Sequence, residues 1–114
     1  MKPGVRFHIR DAGAHPDLAI GPGKVALLEA IRDTGSITAA ARRLGMSYRR
    51  AWLLVDAMNQ AFTSPVVETA KGGPLGGKSV VTPLGAELVL RYRALERETA
   101  VAVRRRLRSV LRAS

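Results

Sequence analysis

Gly35-Ser36-Ile37-Thr38-Ala39-Ala40-Ala41-Arg42-Arg43-Leu44-Gly45-Met46-Ser47-Tyr48-Arg49-Arg50-Ala51-Trp52-Leu53-Leu54-Val55 decides how the rest of the chain reads. Gly35 ends one helix, and Ser36 caps a short second helix from about Ile37 to Leu44, because a serine hydroxyl accepts from free N–H groups of a first turn. Gly45 closes that helix and Ser47 caps a third, running from Tyr48 to about Phe62. Two helices crossing steeply need small residues at their contact, which Ala40 and Ala41 supply. The turn needs a position free to take positive φ, which Gly45 supplies. Leu44, Met46, Ala51 and Leu54 are apolar and flank the turn, so they are expected to fill the shared core, with Trp52 among them. The pattern is that of a helix-turn-helix.

Working outward, Gly21-Pro22-Gly23 opens the first helix, with Val25, Leu27, Leu28 and Ile31 as its apolar stripe. Before it, Val5 to Arg10 alternates apolar and polar residues like a half-buried strand, and Asp11-Ala12-Gly13 marks a turn. Leu18-Ala19-Ile20 is a short partner strand. After the third helix, Val66 to Ala70 and Ser79 to Thr82 are two β-branched runs joined by the glycine-rich Lys71 to Lys78, a hairpin with a flexible tip. Thr82-Pro83 then starts a long helix as N-cap and first helical residue. Leu84, Leu88, Tyr92, Leu95, Thr99, Ala102, Val103, Leu107, Val110 and Leu111 recur along it at threes and fours for nearly thirty residues. At 1.5 Å per residue such a helix is over about 40 Å long, more than a small domain covers, and an exposed stripe of that length suits pairing with a second copy. The expected fold is therefore mainly α with a small β-hairpin wing (α+β): an N-terminal β segment over residues 1–20, a winged helix-turn-helix over 21–82, and a long C-terminal dimerisation helix over 83–114.

Composition narrows the function. The chain has 114 residues, 19 Lys+Arg against 9 Asp+Glu, a net charge of +10 and 46% hydrophobic residues. That suits one folded, strongly basic domain whose partner is an anion: nucleic acid, an anionic membrane surface or an acidic protein. With no cysteine there are neither disulfides nor thiolate metal sites. His8 and His15 read as solvated residues and not as metal ligands. No apolar run reaches the roughly 18 residues of a membrane span, and Met1 to Gly13 lacks the apolar core of a signal peptide, so the expected address is cytoplasmic, with no membrane partner.

The basic charge is uneven. Arg42, Arg43, Arg49 and Arg50 face only Asp56 between Ser36 and Ala61, and Arg104, Arg105, Arg106, Arg108 and Arg112 have no acid beside them after Glu98. In a helix-turn-helix the second helix lies in the major groove with its N-terminal residues at base edges. Those residues are Ser47, Tyr48, Arg49 and Arg50, and an arginine can fork onto guanine O6 and N7. Ser36 and Thr38 stand at a helix start, where free N–H groups and hydroxyls hold a phosphate. Lys71 and Lys78 flank glycines that let the wing backbone approach a phosphate or enter the minor groove. The terminal arginines either touch flanking DNA or solvate the helix end. Gly72 to Ser79 also spells G-x-x-x-x-G-K-S, but a phosphate-binding loop needs a helix starting at its lysine, and Val80-Val81-Thr82-Pro83 follows as a strand cut by proline. No enzymatic activity and no cofactor are expected.

Gly35-Ser36-Ile37, Ala40-Ala41, Gly45-Met46-Ser47-Tyr48, Ala51-Trp52 and Met58-Asn59, with the glycine-rich hairpin and the helix after Thr82, closely resemble the N-terminal DNA-binding domain of the ModE family of molybdate-responsive transcriptional regulators. The LysR-type winged helix is a more distant likeness. The resemblance covers about Gly21 to Arg97 and implies a homodimer that binds double-stranded DNA at an operator, usually to repress molybdate-uptake genes. Ligand-controlled ModE proteins carry C-terminal molybdate-binding domains, whereas this sequence stops at Ser114, so direct molybdate binding is not expected of it. The alternatives left open are a non-specific, nucleoid-type DNA-binding protein and a winged-helix protein-interaction module.

Overall fold

The structure is a computed structural model that describes residues 9–10, 19–70 and 78–110. Its elements follow the order β1 (Ile9–Arg10), β2 (Ala19–Ile20), α1 (Pro22–Thr34), α2 (Ile37–Leu44), α3 (Tyr48–Ala61), β3 (Val67–Thr69), β4 (Ser79–Val81) and α4 (Pro83–Arg106). β1 and β2 pair antiparallel, Ile9 opposite Ile20, as the N-terminal strand reading expects. Its earlier residues, the turn at 11–13 and both histidines lie outside the described residues.

The helix boundaries follow local chemistry. Gly21 precedes α1 and Pro22 occupies its first turn, where a missing N–H costs nothing. Gly35 and Gly45 end α1 and α2 at φ 71° and 70°, the left-handed region that a side chain resists. Ser36, Ser47 and Thr82 cap α2, α3 and α4, their hydroxyls accepting from the N–H groups of Ala39, Arg50 and Gly85 at 3.1 Å each. The core is shared by the first three helices: Val25, Leu27, Leu28 and Ile31 of α1, Ile37, Ala40 and Ala41 of α2, and Ala51, Val55 and Met58 of α3 are all buried. Ala40 and Ala41 are buried in α2, which packs against both α1 and α3.

β3 and β4 form an antiparallel hairpin, Val67 opposite Val81 and Thr69 opposite Ser79. A third segment joins it. Ser36 bridges Lys78 antiparallel, and the Ser79 N–H donates to Gly35 O at 2.9 Å. The corner between α1 and α2 is thereby tied to the wing. The opposite edge is fixed by Thr82, whose N–H donates to Val66 O at 3.0 Å and whose hydroxyl donates to Pro65 O at 2.7 Å. Gly85 in the first turn of α4 lies so close to Val66 that a Cβ there would overlap the Val66 carbonyl oxygen.

α4 departs from expectation in length. It has 24 residues, about 36 Å, and residues 107–110 form a turn instead of continuing the helix; Leu111 lies outside the described residues. Its buried residues, Gly85, Val89 and Tyr92, all lie in the first ten positions. Past Tyr92 no core supports the helix, and Arg104, Arg105, Arg106 and Arg108 place like charges three and four residues apart, which weakens its end. Arg93 pins the emerging helix: it forks onto Glu29 of α1 at 2.5 and 3.2 Å and reaches Glu96 at 2.7 Å. Hydrogen bonds to Glu29 and then Glu96 hold its guanidinium pKa above the ordinary arginine value.

Candidate nucleic-acid interface

α3 is buried on one side only. Ala51, Val55 and Met58, spaced by four and three, face the core. Tyr48, Arg49 and Arg50 are exposed at its first turn, and neither arginine forms an ion pair among the described residues. The Ser47 hydroxyl is occupied with the Arg50 N–H, so its firm role is to start the helix in the register that presents the two guanidinium groups outward. Exposed guanidinium groups on a helix stem, with no carboxylate partner among the described residues, form a surface suited to phosphate and guanine edges.

A second group forms around the start of α2. Ser36 is half-buried and its hydroxyl caps Ala39; Thr38 is exposed one residue into the helix. The backbone bridge sets exposed Lys78 beside Ser36, next to the start of α2 and the exposed Thr38. The sequence does not show that the wing and the α2 start meet, because the pairing is between residues 42 positions apart. Lys71 and the glycines to Gly77 lie outside the described residues. Lys78-Ser79 opens strand β4 and no helix, so the G-x-x-x-x-G-K-S string lacks the phosphate-binding geometry. Among the described residues there is no cluster of three or more His, Cys, Asp or Glu that could hold a metal ion, and no helix long and apolar enough to cross a membrane.

Two expectations require correction. Trp52 is not a core residue: it is 46% exposed, since it stands about 100° around the helix from Ala51 and misses the Ala51–Val55–Met58 line. Leu44, 36% exposed at the last position of α2, also stays at the surface, while Met46 and Leu54 do pack against the core. A functional linkage was missed as well. The Asn59 carbonyl oxygen accepts from the N–H groups of Val66 and Val67 at 2.9 and 3.2 Å, and its amide donates to Val67 O at 3.0 Å. One side chain thus fixes the wing to α3. An asparagine in the last turn of a helix ahead of a strand is the only sequence signal of it.

Residues 23–86 match the model for bacterial regulatory helix-turn-helix proteins of the lysR family. Over 77 residues the chain is 52% identical to the molybdenum-pterin-binding protein MopB of Rhodobacter capsulatus, a match covering 68% of this chain and 28% of that protein. It is 40% identical over 87 residues to the molybdenum transport protein ModE of Azotobacter vinelandii, covering 76% and 32%. With the DNA-binding transcriptional dual regulator ModE of Escherichia coli K12 it shares 39% over 71 residues, covering 62% and 27%. The chain thus spans about a third or less of the length of these relatives. Among solved structures, the DNA-binding domain of CbnR in complex with DNA superposes with a TM-score of 0.56 at 21% identity, covering 79% of this chain and 97% of that one. ArgP of Mycobacterium tuberculosis gives 0.51 at 21% identity, over 71% and 30%. The winged helix-turn-helix fold and the likeness to ModE are both as the sequence led us to expect.

Proposed function

Since the chain belongs to the lysR family of bacterial regulatory helix-turn-helix proteins, we propose that it acts as a sequence-specific DNA-binding transcriptional regulator of ModE type. α3 enters the major groove with Arg49 and Arg50 at base edges and Ser47 and Tyr48 beside them. Ser36 and Thr38 hold a backbone phosphate, and the wing, with Lys71 and Lys78, lies on the backbone or in the minor groove. Residues 83–114 pair two copies and set their α3 helices about 34 Å apart, one turn of DNA. The names of the relatives point to genes of molybdenum handling as targets. The observation that carries this reading is the serine-capped α3 with one face in the core and, at its exposed start, two arginines that form no ion pair among the described residues.

Selection from random genomic duplexes tests it: a two-fold symmetric site should be enriched. Arg49→Ala should then lose about 1–3 kcal/mol of discrimination at one base pair per half-site and little elsewhere. The +10 charge favours a second reading, non-specific binding. In that case no site is enriched, and Arg49→Ala weakens all sequences equally.

A further inference from the structure

The exposed surface of α3 is not purely polar. Leu53 is 48% exposed and lies directly opposite the buried Ala51–Val55–Met58 face, one helical turn beyond Arg49. Trp52 is 46% exposed and lies one turn beyond Tyr48, on the flank that also carries Asn59, the residue bonded to β3. Asp56, bonded to Gln60 at 2.8 Å, closes this apolar segment on the next turn. Two large apolar side chains therefore stand in water on the helix that presents Arg49 and Arg50, one on each side of the line of Arg49 and a turn further along.

Resting on the reading of α3 as the groove helix, we propose that Trp52 and Leu53 are specificity-determining residues that read thymine, seating against its 5-methyl group in the major groove. The occupant follows from the neighbours of the pair. The arginines beside them call for an anionic partner, and the thymine methyl is the one apolar group that a major-groove edge displays. One helical turn is about 5.4 Å along the axis, against about 3.4 Å per base along a strand. The thymines are accordingly one or two base pairs from the base that Arg49 meets, on the side toward the C-terminus of α3.

The test uses the full chain and the duplex it selects. Each thymine is replaced singly by deoxyuridine, which keeps the pairing and removes only the methyl. Wild-type protein should lose about fourfold in affinity per methyl at one or two positions of each half-site. Trp52→Ala and Leu53→Ala should each flatten that loss at one position, whereas Arg49→Ala should keep it and relax a neighbouring base pair. The wild-type scan needs no variant, so its outcome stands even if a substitution impairs folding. Uniform affinity across the scan overturns the proposal while leaving the regulator reading intact. So does a scan without effect combined with a Trp52→Ala shift in the monomer–dimer balance, which would assign the face to a second copy. Failure to enrich any site overturns the regulator reading, and this proposal with it.

Discussion

Three hydroxyl groups, on Ser36, Ser47 and Thr82, define where three helices begin. Such residues are legible in a sequence because their work is local: the hydroxyl, the free N–H and the turn between them lie within four residues. Trp52 was not legible for the opposite reason. Ala51 to Val55 are all apolar, but which of these five consecutive residues face inward depends on how α2 packs against α3, and that is set from outside the helix. Ser47 shows how a cap reaches function. Ser47→Ala leaves the Arg50 N–H without its partner and should cost about 1 kcal/mol, lowering the melting temperature by about 5 °C in a calorimetric or circular dichroism melt. DNA affinity should fall with it, because the fraying turn is the one carrying Arg49 and Arg50.

Elements are joined here by side-chain ties that cross long stretches of sequence. Asn59 satisfies two backbone N–H groups and one carbonyl of the segment entering β3. Asn59→Ala strands those groups and should destabilise the fold by about 1–3 kcal/mol, read by urea denaturation. In binding, it should weaken contacts made by the wing and leave the base preference of α3 unchanged. The order of helices and hairpin was readable from glycines, prolines and apolar periodicity. The length of α4 was not, since periodicity continues to Leu111 while burial stops at Tyr92. Periodicity reports what a helix offers, and a helix end is set by what accepts it. Arg93 marks the boundary, bonded to Glu29 of α1 at the place where the core runs out.

At the scale of the whole molecule, charge and the unsupported half of α4 decide behaviour. Lys78 stands at the wing base among the groups assigned to the DNA backbone. Lys78→Ala should therefore reduce the slope of log affinity against log salt by about 0.9 while base preference is kept, as measured by titrations at several salt concentrations. Leu95 is exposed on α4, and Thr99, Ala102 and Val103 follow it on the same face. Sedimentation at micromolar concentration should give twice the mass of one chain, and Leu95→Glu with Val103→Glu should return it to one.

The strap from Ser36 to Lys78 and the Asn59 tie join α1, α2, α3 and the strands of the hairpin into one block. α4 leaves that block only beyond Tyr92, its last buried residue, at Arg93. The stretch from Arg93 to Arg106 then acts as a lever: a tilt of about 5° at Arg93 displaces the far end of an arm of about 20 Å by about 2 Å. In the proposed dimer, two such levers coupled at their outer halves would convert a small angular change into close to one base-pair step of separation between the α3 helices. On the proposed reading, the operator spacing would accordingly be governed less by the residues at the DNA than by Arg93 and Glu29, whose ion pair ties the arm to α1.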